Sequence, residues 1–274
     1  MDRKSLDVFI TCRDALTAGR PHRLWSLIIT IFGDLAQAPG RRISGAALGE
    51  ITELIGVKPE AMRVALHRLR KDGWLESKRE GRASFHSLTQ YGRTQCAEAS
   101  PRIYGPGLSS SVPVHLLLAD DGTPESRRLL EAHMLTDQYL KISSHAIIGL
   151  GDSPGDTGGL CVVQPAKLTV PDWLKKRICP DDLLSDYVEL YQALKVVDEQ
   201  LGPSPSFQSL EVAALRTLIV HSWRRVLLRH PNLPEQFFPD NWSGPGCRLI
   251  VTSLLDRLAF TKPEVLHGGT QVSA

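Results

Sequence analysis

The stretch KPEAMRVALHRLRKDGWL, residues 58 to 75, sets one basic residue after another among aliphatics and ends at a glycine. On a helical wheel Met62, Ala65, Leu66 and Leu69 share one face; Glu60, Val64, His67 and Lys71 lie opposite, with Arg63 and Arg68 on the flanks. Such a polar arc suits the major groove of duplex DNA. A guanidinium can bond both major-groove acceptors of guanine, a contact worth about 1–3 kcal/mol of discrimination. Arg63 is therefore the expected guanine reader, with Glu60, Val64 and His67 facing bases and Arg68, Arg70 and Lys71 gripping phosphates. A few residues on, Lys78, Arg79 and Arg82 surround Gly81; they would add phosphate contacts and make affinity salt-dependent. The alternative is a structural helix whose charges only face water.

The neighbouring elements bear on this choice. RLWSLIITIFGDLA (Arg23 to Ala36) reads as a buried helix, too long and too apolar for a strand. ISGAALGEITELIG has Ser44 as N-cap, an apolar face through Ala47, Leu48 and Ile51, and Gly56 to stop it. Pro59 then suits the first turn of the basic helix. Residues 74 to 88 change period and read as a hairpin with a basic tip around Glu80-Gly81; Thr89 opens a further helix. Helix, helix, helix, hairpin is the order of a winged helix-turn-helix, whose second motif helix enters the major groove.

Charge agrees with this. From Arg20 to Tyr104 there are 14 Lys and Arg against 8 Asp and Glu; from Gly105 onward there are 15 against 19. A basic first third on an acidic remainder points to a nucleic-acid-binding module joined to a second function. The 274 residues are 42% hydrophobic, enough for two or three cores. The charged N-terminus has no signal-peptide pattern, and no apolar run suffices to span a bilayer. Cys12, Cys96, Cys161, Cys179 and Cys247 are scattered, so neither a disulfide framework nor a zinc site is expected. A cytoplasmic protein without metal or cofactor follows from this reading.

The rest of the chain divides by composition. PRIYGPGLSSSVP (101 to 113) reads as a linker, VPVHLLLAD as a strand, PESRRLLEAHMLTDQYLKIS as one helix, HAIIGLG as a second strand and CVVQPAKLTV as another. From Asp181 the pattern turns helical. HSWRRVLLRH offers His221, Trp223, Arg224, Arg225 and Arg229, with Tyr187 and Tyr191 on the preceding helix. Arg with aromatic walls could bind an anion with an apolar body, although each of these residues taken alone reads more readily as surface charge or core. Asp120 and Asp121 end a strand, and two adjacent carboxylates there read as a solvated turn. No Gly-rich phosphate loop, GxSxG or nucleophile pair is present, so no catalytic residues are expected.

SLIITIFGD, MRVALHRLRKDGWL and GRASFHSLTQYG resemble the N-terminal domain of the PaaX family, the phenylacetate-degradation repressors, and LIVHSWRRVLLRHPNLPEQFFPDNWSG resembles its C-terminal domain. The resemblance implies an α+β chain: an N-terminal extension (1–22), a winged helix-turn-helix (23–104), a Cas2-like, ferredoxin-type middle domain (105–178) and a mainly helical effector and dimerisation domain (179–274). It also implies a homodimeric repressor of an aromatic-acid operon, bound to duplex operator DNA and released by an aryl-acyl-CoA such as phenylacetyl-CoA. Arg63, Arg68 and Leu69 stand where the family helix has Arg, Arg and Leu. Val64 and Ala65 depart from the common Thr and Ser, and the tail TKPEVLHGGTQVSA is atypical, which leaves as the alternative a regulator of another pathway with a different acyl-CoA or a small-acid inducer. The Cas2-like resemblance also raises a metal-dependent nuclease with Asp120 and Asp121 at its metal, against which the solvated turn is the simpler reading.

Overall fold

A computed structural model describes residues 3–18, 23–120, 123–135, 139–203, 206–260 and 266–267. Among them are ten α-helices and two small antiparallel sheets, an α+β chain. Two compact units arise. The first comprises 1–105, 187–227 and 246–274, the second 106–186 and 228–245.

The first unit is built around α9 (Ser209–Leu227), which packs against α1 (Arg3–Thr17), α2 (Leu24–Leu35), α3 (Gly45–Leu54) and α5 (Gln90–Tyr104). From Thr217 to Trp223 every residue of α9 is buried. A helix enclosed on all sides has no solvent face to leave polar. The N-terminal extension is thus not a bare tail: α1 buries Phe9, Cys12 and Leu16 in this unit. α2 buries the unbroken run Leu27–Phe32, as its composition predicts.

β1 (Ile43–Ser44) leads into α3, and the Ser44 hydroxyl accepts from the Ala47 amide at 3.1 Å, the expected cap. α3 stops at Gly56, φ +92°, with Val57 N–H bonded to Thr52 O and Gly56 N–H to Glu53 O. α4 (Pro59–Lys71) stops in the same way at Gly73, φ +74°, with Trp74 bonded to Leu69 O and Gly73 to Arg70 O. Both are Schellman stops, in which a left-handed residue lets the chain double back onto its own last carbonyls. β2 (Leu75–Glu80) and β3 (Ala83–Leu88) follow as a hairpin, its two-residue loop Gly81-Arg82 one position later than the sequence suggests. Sheet order is β1-β3-β2.

α5 begins at the Thr89 cap, which accepts from Gly92 N–H at 3.1 Å. It then runs through Pro101 to Tyr104, the extent that QYGRTQCAEASPRIY suggests for the helix, so the linker expected from Pro101 begins only at Gly105. Hydrogen bonds from distant residues hold that last turn: the Trp223 indole donates to Ile103 O (3.0 Å), and Arg248 donates to Arg102 O and Gly105 O.

In the second unit β4 (Val114–Leu118), β5 (Tyr139–Lys141), β6 (Ala146–Leu150) and β7 (Cys161–Val163) form a sheet of order β5-β6-β4-β7, all neighbours antiparallel. α6 (Pro124–His133) covers it around Leu117, Leu130, Ile147 and Leu160. The single helix expected over 124–143 therefore ends early. Tyr139–Lys141 pair with β6 instead, because strand pairing across the sheet overrides a locally helical composition. α7 (Asp172–Ile178) precedes α8 (Asp181–Leu201); a 3-10 turn (Glu235–Phe237) precedes α10 (Gly244–Arg257). The expected helical domain 179–274 is thus shared: Leu228–Pro245 and the first turns of α8 group with the sheet, the remainder with α9. Trp242 anchors its loop by stacking on Phe238 at 3.8 Å, with His230 edge-on to both.

Candidate nucleic-acid interface

On α4, Ala65, Leu66 and Leu69 are buried and Met62 half-buried, its sulfur accepting from the Thr52 hydroxyl at 3.3 Å. Glu60, Arg63, Val64, His67, Arg68, Arg70 and Lys71 are all exposed, Val64 at 71%. The hydrophobic half of the wheel docks the helix on α2 and α3 and leaves the polar half free of structural work. Glu60 in the first turn and Arg68, Arg70 and Lys71 in the last complement the helix dipole. Existing ion pairs are loose. Arg63 lies 3.9 Å from Glu60 and Arg68 3.4 Å from Asp72, all solvent-exposed and so weak competitors for a polyanion. Among the described residues Arg70, Lys71, Arg79 and Arg82 make no ion pair.

The hairpin divides its charges. Successive strand residues point to opposite faces, so Lys78 shares a face with Glu80 while Arg79 turns to the other. Glu80 is tied by Arg42 at 2.6 Å and Lys78 at 3.7 Å; the hydrogen bond from Arg42 holds its carboxyl below the ordinary range. Arg42 also lies over the Phe85 ring, 4.1 Å from its centroid. Arg42 thus braces the hairpin. Its position in the pair Arg41-Arg42, two residues before the Ser44 cap, is the one local signal of this role in the sequence. Gly92 is a second such residue: a Cβ there would come within 2.5 Å of Trp74 O. That oxygen also accepts Thr89 N–H at 3.0 Å, so the close approach joins α5 to the start of the hairpin.

The residues proposed from sequence for an effector are placed differently. Tyr187, His221 and Trp223 are buried at 0%, 2% and 1% exposure. Tyr187 meets the Trp223 ring edge-on at 6.3 Å. The Thr30 hydroxyl lies 3.0 Å from Ser26 O, accepts from Arg224 at 3.0 Å and shares a hydrogen bond with His221 Nδ1 at 3.2 Å. Tyr191 and Arg225 are half-buried. Arg229 lies past the end of α9, in the second unit, paired with Asp182 at 2.5 Å and with Asp186. Six of the seven are therefore in the first unit, three of them as core. Asp120 follows β4, and Asp121 lies outside the described residues. Among the described residues no group of three His, Cys, Asp or Glu could hold a metal, and no helix is long and apolar enough to cross a membrane.

Two separate stretches match one family: residues 23–92 match "PaaX-like protein" and residues 180–264 match "PaaX-like protein C-terminal domain". Together they take in more than half of the chain, including α2 through the hairpin and α8 through α10. The chain belongs to the PaaX-like family. Among its relatives is the transcriptional repressor PaaX of Escherichia coli (strain K12), 24% identical over 258 residues, spanning 85% of this chain and 80% of that protein. An uncharacterized protein from Mycobacterium tuberculosis resembles the structure at a TM-score of 0.45 and 17% identity, over 88% of this chain and 97% of that one, a likeness too loose to add to this.

Proposed function

We propose that this chain is a DNA-binding transcriptional repressor, not an enzyme, that acts as a homodimer on duplex operator DNA and is released by an aryl-acyl-CoA such as phenylacetyl-CoA. Residues 23–104 work as a winged helix-turn-helix with α4 in the major groove and the β2–β3 hairpin as wing. One observation carries the reading: all ten residues assigned to DNA, from Glu60 to Arg82, are exposed, while the opposite side of α4 is core. Arg63 reads guanine, Glu60, Val64 and His67 face bases, and the remaining cations hold phosphates. The middle segment takes the Cas2-like, ferredoxin-type role; the strand order β5-β6-β4-β7 supports it, with turns where a second helix would join β6 to β7. Residues 179–274 serve effector binding and dimerisation. Release requires that the effector bind more tightly to the form that does not fit DNA. The test is fluorescence anisotropy with the promoter flanking this gene and a panel of acyl-CoAs. Binding to a near-palindrome that weakens with salt, and release by one aryl-acyl-CoA, is expected. Salt-independent or absent DNA binding defeats the repressor reading; release by none of the panel defeats the effector.

A further inference from the structure

α9 presents Arg216, Val220 and Arg224 at four-residue spacing, one above the other on a single face. The two arginines have opposite surroundings. Arg216 is saturated: both oxygens of Asp34 accept from it at 2.9 Å, Leu255 O and Leu258 O accept at 2.9 and 3.1 Å, and Tyr104 also donates to Asp34 at 2.9 Å. Burial opposes its charge, but Asp34 outweighs that and holds its pKa above the usual value. Arg224 has the neutral Thr30 hydroxyl instead. Among the described residues no carboxylate reaches it, and loss of hydration depresses its pKa. A shielded guanidinium without a counter-ion is costly to keep.

This face borders an open cleft of about 700 Å³ in the first unit, with Arg216, Asp34 and Tyr104 on one side and Val251, Leu255 and Phe260 on another. A side cavity of about 20 Å³ lined by Arg224, Thr30 and Cys96 shares Gly33, Ile103 and Tyr104 with the cleft. The cleft has the volume of a small-molecule site and mixes apolar side chains with charged ones, Asp34, Arg41, Arg216 and Asp256, while the side cavity adds Arg224 behind Ile103 and Tyr104. We propose that cleft and side cavity together bind an organic carboxylate with an aryl or alkyl body, its carboxylate paired with Arg224 and its body lying along α10. The free acid fits better than a thioester, because at the end that enters the side cavity a carboxylate is charged and a thioester carbonyl is neutral. Tyr104 stands between the two spaces, so entry turns its ring and loosens its bond to Asp34. Asp34 lies in the last turn of α2, and α2 packs against α4. Occupancy therefore acts on the helix assigned to DNA. Only this regulatory meaning rests on the repressor reading.

The test is calorimetry on the full-length protein without DNA, using benzoate, cinnamate and octanoate, their primary amides, and cinnamoyl-CoA. The expected result is binding of at least one acid, about tenfold or more tighter than its amide, since the amide leaves the guanidinium unneutralised. Arg224→Gln removes the preference for acid over amide. Thr252→Trp, an exposed position on the cleft wall, weakens acid and amide alike and leaves the melting curve unchanged, which keeps the test valid if Arg224→Gln fails to fold. Equal binding of acid and amide, binding indifferent to Thr252→Trp, binding confined to the thioester, or no acid bound at about 10 mM overturns the proposal. Because DNA is absent, any of these leaves the repressor reading standing; failure to bind DNA would in turn leave this site standing.

Discussion

α4 and α9 look alike as sequence. Each is an amphipathic run carrying several arginines and a histidine, and each reads as a surface made to meet a ligand. In the fold they are opposites. α4 spends one apolar stripe on the core and keeps its polar arc in water, with ion pairs no tighter than 3.4 Å. α9 is buried on nearly every side, so most of its polar groups have become fasteners: His221 meets the Thr30 hydroxyl, Trp223 holds the end of α5, and Arg216 grips Asp34, while Arg224, with Thr30 as a neutral partner, is the exception. The lesson is that residue type does not distinguish recognition from architecture. What distinguishes them is whether the polar group already has its hydrogen bonds.

Substitution in α9 should break this comparison most strongly. Trp223→Ala removes a side chain that is 1% exposed together with its bond to Ile103 O. It should cost about 3–5 kcal/mol in urea unfolding. A loss below about 1 kcal/mol, within the ordinary range for a surface change, would mean that Trp223 is not the core residue described and could return to the effector site.

Arg63→Ala is the matching change in α4. Stability should stay within about 0.5 kcal/mol, while operator affinity falls by about 1–3 kcal/mol and discrimination is lost at one base pair. Equal weakening on every sequence would demote Arg63 to a phosphate contact.

The two helices were not equally legible. Both ends of α4 are local chemistry: Pro59 suits a first turn, and Gly56 and Gly73 are glycines where a left-handed residue is needed. The Ser44 and Thr89 caps are equally local, and both form as expected. The fate of α9 depends on α1, α2, α3 and α5 closing over it, which no window of its own sequence reveals. The same cause explains the other differences. Tyr139–Lys141 became strand because β6 was there to pair with, and of the two overlapping readings at Pro101 the helix prevails over the linker because Trp223 and Arg248, more than a hundred residues away, hold its last carbonyls. Arg42 escaped notice because its partners Glu80 and Phe85 reach it only when the hairpin folds back.

The hairpin offers a finer version of the comparison within six residues. Lys78 already has Glu80 at 3.7 Å, whereas Arg79 on the opposite face makes no ion pair among the described residues. Neutralising a phosphate releases counter-ions and contributes about 0.9 to the slope of log affinity against log salt. Arg79→Ala should therefore flatten the slope by about one such contribution, and Lys78→Ala by less. The reverse order would show that Glu80 lets go of Lys78 on DNA.

The smallest effect concerns His86, which joins the two behaviours because it is a buried fastener inside the DNA-facing hairpin. It is 6% exposed, with Nδ1 2.7 Å from the Ser77 hydroxyl. Burial, and to a lesser degree the charge of Arg70, depresses its pKa in the folded protein. Below the ordinary histidine value of about 6.5 the unfolded chain takes up a proton that the folded chain resists. The contribution of His86 to stability is therefore complete above that pH and is lost as pH falls toward the depressed folded value. Thermal unfolding between pH 7.5 and 5 should show stability declining with acid, and His86→Gln should flatten the decline relative to the parent. If His86→Gln leaves the decline as steep as in the parent, His86 is not the buried fastener described, and the hairpin's core side is no different in kind from the exposed arc of α4.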